Sequence, residues 1–272
     1  MINFVFMPDI EEIKDAPAKK ESLFKRKKKE LRISALFLGV SLLLAASILY
    51  AWHEYRVSPP YVDPERFPIR GIDVSSHNGM IDFKAVAADG IEFVWIKASE
   101  GETFRDNNFI LNFQKATQAG LKTGAYHFFR FDRDGVAQAR NFIRSVAGRC
   151  LDLGMAIDVE ETGNAGGVPH DSIIIRLRDM IEYLNVAGVR PILYSNRAGF
   201  DKYIYDEFRD LPLWICQFTD NSRSGDWLYW QFYHHGHVAG VKTEVDLDVY
   251  SGSREDWEYM LDNMPPTLLL PR

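Results

Sequence analysis

From residue 69 to residue 250 the chain keeps one rhythm: short β-rich runs alternate with longer helical patterns. The runs are IRGIDV (69–74), FVWIKA (93–98), KTGAYHFF (122–129), GMAIDV (154–159), PILYS (191–195), LWICQF (213–218), LYWQF (228–232) and TEVDLDVY (243–250). Helical patterns fall at 82–89, 106–119, 133–147, 171–187 and 199–208. In the fourth of these, Ile173, Ile174, Leu177, Ile181 and Leu184 share one face at helical spacing. Strands that alternate with helices imply a mainly parallel sheet. Eight of them in one domain-sized stretch imply closure on themselves. The expected fold class is α/β, an irregular (β/α)8-type barrel. Few helices belong to its last third, because the last three runs leave no room for long ones. Chemistry in such barrels sits at the carboxyl ends of the strands.

Ahead of this region, residues 33–52 read ISALFLGVSLLLAASILYAW, with no charge and no proline. About 20 apolar residues rising roughly 1.5 Å each span a hydrocarbon core of about 30 Å. Lys25, Arg26, Lys27, Lys28, Lys29 and Arg32 precede the run, and only His53, Glu54 and Arg56 follow closely. The positive-inside rule then leaves the amino terminus in the cytoplasm. Tyr50, Trp52 and Tyr55 are placed as an interfacial aromatic belt would be. A cleaved signal peptide is the alternative, but about thirty residues precede the run and Ala45-Ala46-Ser47 lies inside it. The expected organisation is a cytoplasmic basic tail (1–32), a transmembrane helix (33–52), a Pro-containing linker (53–68) and a barrel domain (69–265). The inner membrane of a bacterium is the expected location, with the barrel outside the cytoplasm.

Residues 1–32 hold nine Lys/Arg and six Asp/Glu, about +3, so the remainder is near -9 of the total -6. An acidic body argues against nucleic acid as a partner. Cys150 and Cys216 form no framework or metal motif, and two unpaired, mostly buried thiols are expected.

Acids recur at strand ends. Asp73 closes the first run, Asp158 and Glu160 the fourth, and Asp246 and Asp248 lie in the eighth. Residues two apart on a strand point the same way, so Asp158 and Glu160 share a face and Glu161 takes the other. Three strands thus aim carboxylates at one mouth. Glycosidic cleavage uses such a set: one carboxyl stays protonated to donate to the leaving oxygen, and another stays ionised beside the oxocarbenium-like centre. Crowded like charges push their pKa values apart.

With GIDVSSHNGMIDF (71–83), WIKASEG (95–101), GAYHFF (124–129), AIDVE (156–160), PILYSN (191–196), LWICQF (213–218) and WQFYHHGHVAGVKTEVDLDVY (230–250) in this order, the chain resembles the family-25 glycoside hydrolases. These are N-acetylmuramidases of the Chalaropsis-lysozyme type, and the likeness spans nearly all of 70–252. The resemblance implies hydrolysis of the β-1,4 bond between N-acetylmuramic acid and N-acetylglucosamine in peptidoglycan glycan strands, without a cofactor or metal. It implies Glu160 as general acid and Asp158 as its partner. Asp158 would orient the muramic N-acetyl group and stabilise an oxazolinium ion, or would itself attack. Asp73 and Asp246 match two further acids of the cleft. Tyr126, Tyr194 and Trp214 match sugar-stacking positions, and Lys97 and Glu100 fall in a matching substrate-side segment. Ser99, Cys216 and Asp248 depart from the family's usual Thr, Ala and Asn.

Two rival readings remain. A metal-dependent polysaccharide deacetylase needs histidine ligands, and His127, His234, His235 and His237 are the candidates; His-His-x-His lacks helical ligand spacing. A non-catalytic tether that binds peptidoglycan is the other. The membrane orientation is directly testable: a periplasm-dependent phosphatase fused after Arg272 is expected to be active in a bacterial host. An inactive phosphatase, paired with an active cytoplasmic reporter at the same site, overturns that orientation.

Overall fold

A computed structural model describes residues 10–57, 60–218, 227–263 and 266–269 of the chain. It divides into two compact units, residues 1–58 and 59–272.

The first unit is one helix, α1, Ile10–Val57. Within its stretch Leu23–Tyr50 an 18-residue window is apolar enough to cross a membrane, with mean hydropathy 2.2 and none of it buried. Ser47 within it returns its hydroxyl to the Leu43 carbonyl at 2.9 Å. The side chains of Trp52 and Tyr55, expected at the outer end, lie outside the described residues.

The second unit is a closed barrel. Its strands are β1 (Arg70–Val74), β2 (Phe93–Glu100), β3 (Phe104–Arg105), β4 (Lys122–Phe128), β5 (Cys150–Leu151), β6 (Gly154–Asp158), β7 (Ile192–Asn196), β8 (Leu213–Cys216), β9 (Tyr229–Gly236), β10 (Val245–Tyr250) and β11 (Thr267–Leu268). The sheet runs β1-β10-β9-β8-β7-β6-β4-β2, and β2 pairs with β1 to close it. The eight staves are the eight runs read from the sequence. Helices α2 (Phe83–Ala88), α3 (Phe109–Gln118), α4 (Gly135–Val146) and α5 (His170–Val186) fall in the expected places. Residues 197–208 form a short irregular helical segment with a π-type turn.

One stave breaks the parallel order: β10 is antiparallel to both β9 and β1. Only residues 237–244 join it to β9, and a parallel return needs a dozen residues or more. The short edge strands β3, β5 and β11 and a helix at Arg254–Asn263 had no counterpart in the sequence reading. That helix caps the amino-terminal end of the barrel. Trp257 meets Phe93 and Tyr250 at ring distances of 5.5 and 5.1 Å. The barrel unit also reaches beyond its expected limits. Phe67, assigned to the linker, is 3% exposed and packs on Trp227 and Trp230, and β11 pairs with β5 past residue 265.

Two hydrophobic layers result. Aliphatic residues from the outward faces of the strands pack under the helices. Inside the barrel the fill is aromatic: Phe93, Trp95, Trp214 and Tyr229 are essentially inaccessible. Large rings fit there because facing positions are small. A Cβ on Gly71 would lie 2.2 Å from the Phe93 ring, and one on Gly124 would lie 2.3 Å from Trp95. Overpacking of this kind costs about 1–3 kcal/mol, so Gly124→Ala is expected to lower stability by that order in urea unfolding followed by tryptophan fluorescence. Unchanged stability would show that Trp95 has room to move and that the interior is not close-packed.

Candidate active site

The aromatic floor decides where polar groups can sit. On several staves an inward ring or small residue at the floor is followed, at the next inward position toward the carboxyl end, by a polar side chain. On β1 this step runs from Gly71 to Asp73, on β6 from Ala156 to Asp158, on β9 from Tyr229 to Gln231. Because β10 runs the other way, its sequence is reversed: Tyr250 is at the floor, and Asp248 and Asp246 rise to the mouth. Asp73 and Asp246 are direct cross-strand partners, which sets like charges side by side.

A cleft of about 370 Å³ opens over this floor, lined by Asp73, Tyr126, Asp158, Glu160, Thr162, Tyr194, Asn196, Trp214, Cys216, Phe218, Gln231, His234 and Asp246. The four acids expected to act together, Asp73, Asp158, Glu160 and Asp246, therefore share one cavity, as do Tyr126, Tyr194 and Trp214. Trp214 stacks on Trp95 at 5.2 Å and meets Tyr194 edge-on at 4.7 Å, so the ring wall continues the floor.

Asp158 ends β6, and Glu160 stands two residues on. The backbone between them is held from both sides: Phe129 N–H donates to Asp158 O, Val159 N–H to Tyr194 O, and Ser195 Oγ to Val159 O, at 2.9, 2.9 and 2.6 Å. Val159 is buried outward, so its neighbours both face the cleft. Asn164 binds the Glu160 carbonyl at 2.8 Å and fixes the following turn. Glu161 points away, to Lys202 Nζ and Tyr203 Oη at 2.5 and 2.6 Å.

Lys97 and Glu100 do not line the cleft. Lys97 pairs with Glu100 at 2.8 Å and lies over the Phe128 ring, and Arg130 joins Glu100 at 3.4 Å. The charge of Lys97 opposes the rise in pKa of both Asp158 and Glu160. Gln231, absent from the sequence reading, links two strands. Its Nε2 donates to Asp73 Oδ2 at 2.6 Å, and its Oε1 accepts from the Tyr194 hydroxyl at 2.8 Å. Asp248 accepts from Trp214 Nε1 at 2.8 Å beneath the cleft.

Burial dominates the electrostatics. It raises Asp73 well above the carboxylate range, with Asp246 and Asp248 adding to the effect and Gln231 opposing it. Burial and the neighbouring Glu160 raise Asp158 well above that range. Burial also raises Glu160. Asp246 is pushed up to about 7 by burial and Glu160, against His235. Asp158 Oδ1 is buried without a hydrogen-bond partner among the described residues.

The histidines are otherwise engaged. His127 is buried between Ser99 Oγ and Gln138 Oε1, and burial lowers it to about 3. His234 lies on the cleft wall against Phe218, and His235 pairs with Glu244 at 2.7 Å. Among the described residues no group of three or more His, Cys, Asp or Glu is arranged to hold a metal ion. The cysteines are both free; Cys216 is buried in the cleft wall, but Cys150 is exposed rather than buried, since it sits on the outer edge strand β5.

Comparison with known proteins bears on this arrangement. Residues 72–241 match the sequence profile described as Glycosyl hydrolases family 25. An "Autolytic lysozyme" of Clostridium acetobutylicum is 35% identical over 185 residues, 67% of this chain and 56% of that protein. The chain thus spans little more than half of that relative's length. An "N,O-diacetylmuramidase" of Chalaropsis is 30% identical over 57% of this chain and 72% of its own. The solved structure of a family 25 glycosyl hydrolase from Bacillus anthracis superposes with a TM-score of 0.66 at 31% identity, covering 74% of this chain and 97% of that one.

The raised acids predict a pH-dependent stability. Asp246 binds its proton more tightly folded than unfolded, so its contribution is full below about pH 4 and is lost as pH rises through about 7. Asp246→Asn, uncharged and of equal size, is expected to stabilise the barrel above pH 7 by on the order of a few kcal/mol, each pKa unit being worth about 1.4 kcal/mol. Denaturant titrations at pH 5 and pH 8 measure this; a variant no more stable than the parent at pH 8 contradicts it.

Proposed function

The chain belongs to glycosyl hydrolase family 25, and from that premise we propose that it is a membrane-anchored muramidase that hydrolyses peptidoglycan glycan strands outside the cytoplasm. The observation that carries the reading is the cleft itself: Asp73, Asp158, Glu160 and Asp246 face one cavity whose other walls are Tyr126, Tyr194 and Trp214. Pyranose rings present apolar CH faces to aromatic walls, and the carboxyl groups meet the glycosidic oxygen and the anomeric carbon. The printed names of the relatives, an autolytic lysozyme and a diacetylmuramidase, support cleavage at muramic acid.

In this reading Glu160 is the general acid. It is the least buried member of the Asp158–Glu160 pair, which suits a group that must reach a leaving oxygen. Burial raises its pKa, so it holds a proton nearer neutrality than a free glutamate does. Asp158 works from below. Its partnerless buried oxygen calls for a donor, and the amide N–H of a muramic N-acetyl group supplies one. That contact turns the acetyl oxygen toward the anomeric carbon, where it acts as internal nucleophile, and the carboxylate stabilises the positively charged oxazolinium ion that follows. Lys97 opposes the rise of both pKa values and so favours ionisation of the pair. Asp73, fixed by Gln231, and Asp246 hold the sugar. The apolar stretch of α1 anchors the enzyme, with the basic residues 25–32 on the cytoplasmic side.

Removal of a general acid costs about 10²–10⁴-fold in rate. Glu160→Gln is expected to lose turnover by that order on purified peptidoglycan while it still sediments with the glycan. Asp158→Asn is expected to lose a comparable factor. Glu161→Gln, whose side chain faces Lys202 and Tyr203, keeps most of its rate. A folded Glu160→Gln enzyme with near-parental turnover would falsify the assignment. Loss of activity confined to Glu161→Gln would place the site on the other face of β6.

A further inference from the structure

The second large concavity of the barrel unit is on its flank. It is a groove of about 960 Å³ lined by Arg105, Arg140, Ile143, Arg144, Ala147, Tyr183, Val186, Ala187, Leu268 and Leu269. Its composition inverts that of the domain: three guanidinium groups and no carboxylate line it, on a body whose net charge is near -9. Elsewhere on the barrel some arginines pair with acids, as Arg178 does with Glu207, Arg197 with Asp201 and Arg254 with Glu92, and others bind backbone carbonyls, as Arg176 does with Phe131 O and Arg190 with Asp210 O. In the groove the side chains of Arg105 and Arg144 make no ion pair or hydrogen bond among the described residues, and Arg140 contacts the hydroxyl and ring of Tyr183 rather than a carboxylate. Between the guanidinium groups the surface is apolar and open, with Val186 90% and Leu268 52% exposed.

Arginines around exposed aliphatic side chains match one chemistry well: a phosphodiester headgroup layer over acyl chains. The guanidinium fork binds phosphate oxygens, its stem lies on apolar surface, and the aliphatic residues enter the headgroup boundary. Leu268 and Leu269 lie beside β5. We infer that this flank groove docks on the anionic phospholipid surface of the anchoring membrane. Docking there would hold the barrel beside the bilayer with the cleft open to glycan strands close to it. The inference rests on the anchored reading given above.

Cys150 provides a native probe, because it is exposed and pairs in register with Leu268. The full chain carrying Cys216→Ser is labelled at Cys150 with a nitroxide. It is reconstituted into vesicles of phosphatidylcholine, or of phosphatidylcholine and phosphatidylglycerol in equal parts. Docking predicts that collision of the label with an aqueous nickel complex falls several-fold in the anionic vesicles only. The protection is expected to vanish in about 1 M salt, where the screening length is about 3 Å, to disappear in the variant R105Q/R140Q/R144Q, and to survive millimolar inorganic phosphate. Equal collision rates in the two vesicle types, or protection retained by the triple variant, overturn the inference while leaving the anchor intact. If the chain fails to float with neutral vesicles, the anchor reading is the one that falls. Arginine-dependent flotation with anionic vesicles alone would then support docking, and its absence would overturn it. The triple variant is expected to hydrolyse solubilised peptidoglycan at the parental rate, which separates docking from catalysis.

Discussion

Like-charged carboxyl groups brought together above a water-poor floor repel one another and resist ionisation, and the rest of this barrel is arranged around that fact. Asp73 and Asp246 are opposite each other on paired strands, Asp248 is beneath them, and Asp158 and Glu160 face them across the cleft. A flexible scaffold would relieve the repulsion by spreading. Here the strands cannot move apart, because the interior below is filled by Phe93, Trp95, Trp214 and Tyr229 and sealed by Trp257. The hydrophobic fill thus holds the acids where their pKa values are raised, and the raised values make a proton donor available near neutral pH.

A small number of polar bonds decide which carboxyl does what. Gln231 bridges two strands: its amide nitrogen donates to Asp73 and its oxygen accepts from Tyr194. Lys97, held by Glu100 over Phe128, supplies positive charge to the Asp158–Glu160 side without entering the cavity. Asp158 keeps one oxygen without a partner. The three arrangements differ although the side chains are nearly the same, and the difference comes from neighbours on other strands.

Most of the barrel was legible from the sequence because period-two alternation and turn residues report on strands directly. The shared face of Asp158 and Glu160, with Glu161 opposite, follows from the same rule. The antiparallel turn of β10 was less visible, although the eight residues between β9 and β10 already exclude a parallel return. The 254–263 helix left a weak signal in Trp257, Met260 and Leu261, which share one face; its otherwise acidic composition masked it. Gln231 read as one polar residue in an apolar run, and only its parity with Tyr229 marked it as inward. Lys97 and Glu100 were grouped with sugar contacts by their nearness in sequence to a matched segment. The structure sets them behind Phe128, where distance along the chain says nothing about access to the cleft. The cysteine contrast was likewise invisible, since exposure of Cys150 depends on an edge strand formed with residues more than a hundred positions away.

The central claim is that these carboxyls cleave the glycan on the reducing side of muramic acid. Mass spectrometry of sodium borohydride-reduced digests tests it directly, because the two possible β-1,4 cleavages leave different sugars at the new end. The account predicts fragments that end in reduced muramic acid when purified peptidoglycan is treated with the full chain. Fragments ending in reduced glucosamine, or deacetylated but intact strands, would contradict it.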